Sequence, residues 1–99
     1  AQSFYEPDEE APLADFGHSL GDGYVVVLYP NDLPEDDVTT LREFIASDDP
    51  AKVLAGVGEV PSGDVIALNL RQQMTCETAH VGALRQFARS WFDSMGEAA

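Results

Sequence analysis

The run Tyr24-Val25-Val26-Val27-Leu28-Tyr29 limits what this chain can become more than any other segment. It carries no charged residue and no alternation, and β-branched and aromatic side chains crowd it. That pattern describes a strand covered on both faces rather than one lying on a half-wet sheet. Such a strand needs a layer above and a layer below it. In 99 residues this means one domain around one modest core. Hydrophobic residues make up 44% of the chain, enough for that core and too many for an acidic disordered segment.

The flanks of the central strand supply further elements. Pro30 ends it, and Asn31-Asp32-Leu33-Pro34 offers a cap with a proline near the first helical turn. In the helix that follows, Val38, Leu41, Phe44 and Ile45 fall on one face. Asp48-Asp49-Pro50 stops this helix and suits the start of a second, shorter one through Val53 and Leu54. Upstream, Leu13 to Leu20 reads as a short strand that turns at Gly21-Asp22-Gly23. Downstream, Asp64 to Leu70 reads as a strand with Ile66, Leu68 and Leu70 on one side and Val65, Ala67 and Asn69 on the other, after which Arg71-Gln72-Gln73 leads outward. A last helix from about Cys76 to Met95 carries Val81, Leu84, Ala88, Trp91 and Met95 in a stripe that Phe87 and Phe92 widen, with Gly96 at its stop.

The expected architecture is therefore α+β: a small sheet of about three strands in the order β-β-α-α-β-α, packed with two main helices. Residues 1–12 contain Glu6, Asp8, Glu9 and Glu10 together with Pro7 and Pro12 and read as a flexible acidic arm, ahead of a single α+β domain over 13–99. If the Tyr24 and Asp64 strands are parallel neighbours, their crossover is right-handed. So small a sheet leaves room for a homodimer that completes it.

Charge sets the partners. Eighteen acidic residues face five basic ones, Arg42, Lys52, Arg71, Arg85 and Arg89, for a formal net charge of −13. A direct nucleic-acid binder is disfavoured, because phosphate affinity comes from clustered Lys and Arg. Anionic membrane surfaces are disfavoured on the same ground, and no apolar run is long enough to span a bilayer. The cytoplasm is the default location, although a start at Ala1 also fits methionine removal, a tag remnant or a cleaved signal peptide.

The candidate chemistry is sparse. Paired catalytic carboxylates need a cleft that drives their pKa values apart, whereas Asp8-Glu9-Glu10, Glu35-Asp36-Asp37 and Asp48-Asp49 fall in an arm and in helix caps. No segment has the ligand spacing of an EF-hand. Cys76 is the sole cysteine, so no internal disulfide forms. Cys76 and His80, four apart on the expected helix, would with His18 give three zinc ligands where a structural site takes four. Glu77 and His80 form a single E-x-x-H pair where a di-iron bundle needs two. A reactive thiolate at the helix start would need an oriented third group that the sequence does not name. Arg85 and Arg89, also four apart, suit pairing with the protein's own acids. Trp91 and Phe92 are adjacent and diverge around their helix, so one small monomeric core would not bury both, which points to a dimer or partner contact there.

The leading expectation is a non-enzymatic acidic domain, without cofactor or metal, that occupies a basic surface of a partner protein. An immunity-type inhibitor and a nucleic-acid mimic both fit, with Glu35, Asp36, Asp37, Asp48, Asp49, Trp91 and Phe92 as the contact residues. A salt-adapted housekeeping domain and a small metal- or thiol-dependent enzyme using Cys76 and His80 are the alternatives.

Overall fold

A computed structural model describes residues 3–47 and 52–98 of the chain. The fold is α+β, with the order α1 (Leu13–Gly21), β1 (Val25–Tyr29), α2 (Glu35–Ala46), β2 (Val53–Val57), β3 (Val65–Leu68), β4 (Gln73–Cys76) and α3 (Val81–Ala98). The four strands form one mixed sheet in the order β2-β1-β3-β4. β1 runs parallel to β2, from Val25 opposite Val53 to Tyr29 opposite Val57, and antiparallel to β3, while β3 and β4 are antiparallel.

The expected central strand is central. Val25, Val26 and Val27 are each 1% exposed, so both faces of β1 are covered as its lack of alternation requires. Residues opposite one another in register share a face. One face therefore carries Val25 and Val53, then Val27 with Ala55 and Ala67, then Tyr29 with Val57. This is the main core. α2 closes it with Val38, Leu41, Phe44 and Ile45, and α3 closes it with Leu84 and Ala88. Burying the four α2 side chains contributes about 6–12 kcal/mol before conformational entropy is set against it.

The opposite face carries Val26, Leu28, Leu54, Gly56, Ile66 and Leu68. α1 covers the β1–β2 half of it. The side-chain-free surface of Gly56 permits the close approach, since a Cβ there would lie 2.8 Å from Ala11 Cβ and 3.0 Å from Phe16 Cε2.

Several expectations are corrected. Leu13 to Leu20 is the helix α1 and not a strand, because Phe16 and Leu20, four apart, fall on one helical face and Phe16 is buried, while Leu13 stays exposed. The turn at Gly21-Asp22-Gly23, with Gly23 at φ +94°, then joins a helix to a strand. Val53 and Leu54 belong to β2 and not to a second short helix. Parallel pairing with β1 buries Val53 and Ala55, and this outweighs local capping signals. Asp48, Asp49 and Pro50 lie outside the described residues.

The strand expected over Asp64–Leu70 is Val65–Leu68, and its buried side is Val65 and Ala67. It neighbours β1 but runs antiparallel, so no crossover joins the two. Buried Asn69 turns the chain into β4, its Oδ1 accepting from the amides of Arg71 (2.8 Å) and Gln72 (2.7 Å). Gln73 to Cys76 is thus a fourth strand, and the last helix begins at Val81 rather than near Cys76.

Residues 3–12, expected as a flexible arm, lie against the domain. Phe4 forms a parallel bridge to Ala55 at the outer edge of β2. The Tyr5 amide donates to the Ala55 carbonyl at 2.9 Å, and the Ala55 amide donates to the Ser3 carbonyl at 2.8 Å. The segment thereby covers one sheet edge, which would otherwise present unpaired backbone groups.

Candidate functional site: an acidic concavity

The side chains of the N-terminal segment divide according to strand geometry, in which successive residues point to opposite faces. Phe4 turns to the α2 side and stacks on Tyr29, with ring centroids 5.9 Å apart and planes 9° from parallel. The Arg42 guanidinium lies over the Phe4 ring at 5.6 Å from its centroid. Arg42 also holds Glu6 through two bonds, Nε to Oε2 at 2.8 Å and Nη2 to Oε1 at 2.5 Å, the planar fork matching the carboxylate. The Tyr29 hydroxyl donates to the carbonyl of Tyr5. Phe4, Glu6, Tyr29 and Arg42 together clamp the acidic segment to α2 and the core.

The clamp brings together two acidic stretches that are far apart in sequence. Glu6 and Asp8 from the segment and Glu35 from the first turn of α2 line one concavity of about 340 Å³, with Asn31, Leu33 and Arg42 in its wall. Pro34 is the N-cap of α2, extended at ψ 142° and without a side-chain cap bond, and the dipole at that end favours Glu35, Asp36 and Asp37. Glu35 and Asp36 are exposed and Asp37 is half-buried. Glu9 folds back to accept from the Glu6 amide at 2.8 Å.

Electrostatics here follow from the Glu6–Arg42 pair. The hydrogen bond from Arg42 holds the Glu6 carboxyl below the usual carboxylate range, against a smaller opposing effect of burial. The same bond raises Arg42 further above its ordinary value. Burial pushes the Tyr29 phenol up, and the charge of Glu6 adds to the effect. Arg42 lies in the same wall, where Glu6 engages it and the charge of Glu35 also favours its protonated form, so the lining sets three carboxylates against one guanidinium. A general acid would need its carboxyl raised, whereas Glu6 is held down. The arrangement can receive a cationic group.

The other expected site residues are dispersed. Trp91 and Phe92 are both half-buried and pack against the core, Trp91 in the apolar stripe read from the sequence and Phe92 widening it. The Trp91 indole donates to the carbonyl of Gly23 at 2.8 Å, tying α3 to the α1–β1 turn. Arg85 lies over the ring of Phe44 at 5.4 Å from its centroid. Cys76 and His80 do not share a helical face, as had been expected. Cys76 ends β4, and burial pushes its thiol up, away from a reactive thiolate. His80 precedes α3, where its Nδ1 accepts from the Ala83 amide at 3.1 Å as a helix cap. His18 is exposed on α1. Among the described residues, no group of three His, Cys, Asp or Glu is placed to hold a metal ion. No helix among them is long and apolar enough to cross a membrane.

The residues that composition alone did not single out are Glu6, Asp8 and Arg42. Their one local signal is the pair Phe4-Tyr5 directly ahead of Glu6, strand-forming residues that anchor the acids following them. The chain belongs to the family described as protein of unknown function (DUF3105), which matches residues 1–97. No curated protein and no solved structure matches it.

Proposed function

We propose that this chain is a non-enzymatic protein-binding domain that presents its acidic concavity to a basic surface of a partner, in the manner of an immunity-type inhibitor or a nucleic-acid mimic. The observation that carries this reading is the convergence of Glu6, Asp8 and Glu35 from two distant stretches, with Arg42 already engaged by Glu6. Asp36 and Asp37 extend the negative surface along the first turn of α2. A net charge of −13 steers cationic partners toward the domain and repels nucleic acid. On this reading the protein acts in the cytoplasm, needs no cofactor, and leaves β4 as the sheet edge at which a second copy would dock.

The test is capture on the immobilised domain from a lysate of its source, compared with capture on the triple variant Asp8→Asn, Glu35→Gln, Asp36→Asn and eluted in salt steps. The reading requires basic proteins retained by the parent, released as salt rises and lost on the variant. The same proteins held by both, or elution independent of salt, would refute it. A parent domain that unfolds in dilute buffer and folds only near molar salt would instead favour the salt-adapted alternative.

A further inference from the structure

The opposite side of the N-terminal segment faces a second cavity, of about 250 Å³. Ser3 and Tyr5, two residues apart on the bridged segment, share the face that Phe4 does not, and they form one wall. α1 forms the facing wall with Asp15, Phe16 and Ser19, which fall on one side of a helix at one-, three- and four-residue spacing. Asp22 and Tyr24, on either side of the positive-φ Gly23, close one end, and Leu54 of β2 makes the floor.

Two properties of this cavity define what it would accept. Its walls are aromatic: the Tyr5 and Phe16 rings meet at 63° with centroids 5.7 Å apart, forming a corner, and Tyr24 adds a third ring. Its rim is anionic. Among the described residues neither Asp15 nor Asp22 has a hydrogen-bond or ion-pair partner for its carboxylate. Aromatic faces beside unpaired carboxylates recognise organic cations through cation–π attraction and direct charge. A neutral apolar ligand would cover the carboxylates without compensating them. The volume lies just below the roughly 300 Å³ at which pockets for drug-sized ligands begin, so the fit is to a compact group.

We infer that this cavity binds a small organic ammonium ion, alkylated or quaternary, with Tyr5 and Tyr24 against its alkyl groups, the buried Phe16 ring backing them, and Asp15 and Asp22 against its charge. The inference goes beyond the protein-binding reading, since none of these residues lines the acidic concavity. Either can fail alone.

The test is a titration of the isotope-labelled domain with tetramethylammonium chloride and with n-butylammonium chloride, followed by amide shifts, against potassium chloride at equal ionic strength and against neopentyl alcohol as the neutral analogue. Saturable shifts centred on Asp22, Tyr24 and Leu54 are expected from at least one of the ammonium salts and from neither control. The double variant Asp15→Asn, Asp22→Asn, which removes two exposed charge contacts, should weaken binding about tenfold, and Tyr24→Leu should weaken it about three- to fivefold, the size expected for one part-exposed cation–π contact. Shifts reproduced by potassium chloride, equal binding of the neutral alcohol, or unchanged affinity in the aspartate double variant would each overturn the site. Should Tyr24→Leu fail to fold, the aspartate variant decides the matter alone.

Discussion

Replacing Gly56 by alanine tests whether α1 is seated on β2 as closely as the fold requires. The added Cβ would lie 2.8 Å from Ala11 Cβ, 3.0 Å from Phe16 Cε2 and 3.1 Å from Phe16 Cζ. Carbon atoms prefer about 3.5–4.0 Å, so α1 and the residues leading into it must lift by about 0.7 Å or more. Neither main contact is the end of a flexible chain, since one is a backbone-anchored methyl and the other a ring that is only 4% exposed. Overpacking of this kind costs about 1–3 kcal/mol, and the stiffer unfolded chain of alanine returns about 0.4–1 kcal/mol. The net expectation is a loss of about 1.5 kcal/mol, or a fall in Tm of about 6–12 °C for a domain of this length. Urea and thermal unfolding followed by Trp91 fluorescence would measure it. Adding Ala11→Gly removes the nearest contact and should show positive coupling in a double-mutant cycle. Gly17→Ala is the control of opposite sign. It sits inside the same helix with nothing within 4 Å of its Cβ, and should stabilise by about 0.5–1 kcal/mol. A Gly56→Ala protein as stable as the parent would refute the packing of α1 described above.

Other outcomes follow from the clamp and the thiol. Tyr29→Phe removes the bond to the Tyr5 carbonyl and should cost about 1 kcal/mol in urea unfolding, with faster hydrogen exchange at the Tyr5 amide. Because Glu6 has its carboxyl lowered by folding, the stabilisation it gives is complete above the unfolded carboxylate range and is lost as pH falls through the folded value. Amide shifts of Tyr5 and Ala55 should therefore report release of the segment only below the pH at which an unperturbed glutamate titrates, and that step should be absent from Glu6→Gln. Cys76, raised by burial, should react with iodoacetamide more slowly at pH 8 than free cysteine does. Faster alkylation would revive the thiol-enzyme alternative.

How much of the fold could be read from sequence depended on whether a segment's pattern had one solution. β1 was legible because Val25 to Val27 need cover on both faces, and α2 because Val38, Leu41, Phe44 and Ile45 leave no second periodicity. α1 is ambiguous locally, since Leu13 to Leu20 matches both an alternating and a helical template, and only the landing of Phe16 on Gly56 decides between them. In β2 the short run Val53-Leu54-Ala55 has no periodicity of its own, and its conformation comes from pairing with β1. β4 is a polar edge strand with little burial to mark it. The acidic site was half legible. Its charges were visible in the arm and at the start of α2, but their meeting depends on the Phe4 bridge to Ala55 and on Arg42 reaching Glu6, contacts across 51 and 36 positions of chain that no local pattern encodes.

The central claim is that the concavity formed by Glu6, Asp8 and Glu35 steers and holds a basic partner. The most direct measurement is the association rate constant of the domain with a captured partner across a range of ionic strength, for the parent and for the Asp8→Asn, Glu35→Gln, Asp36→Asn variant. The account predicts a parent rate that falls at least about tenfold from low to high salt, with a slower variant whose salt slope is shallower. Equal rates and equal slopes for the two proteins would contradict it.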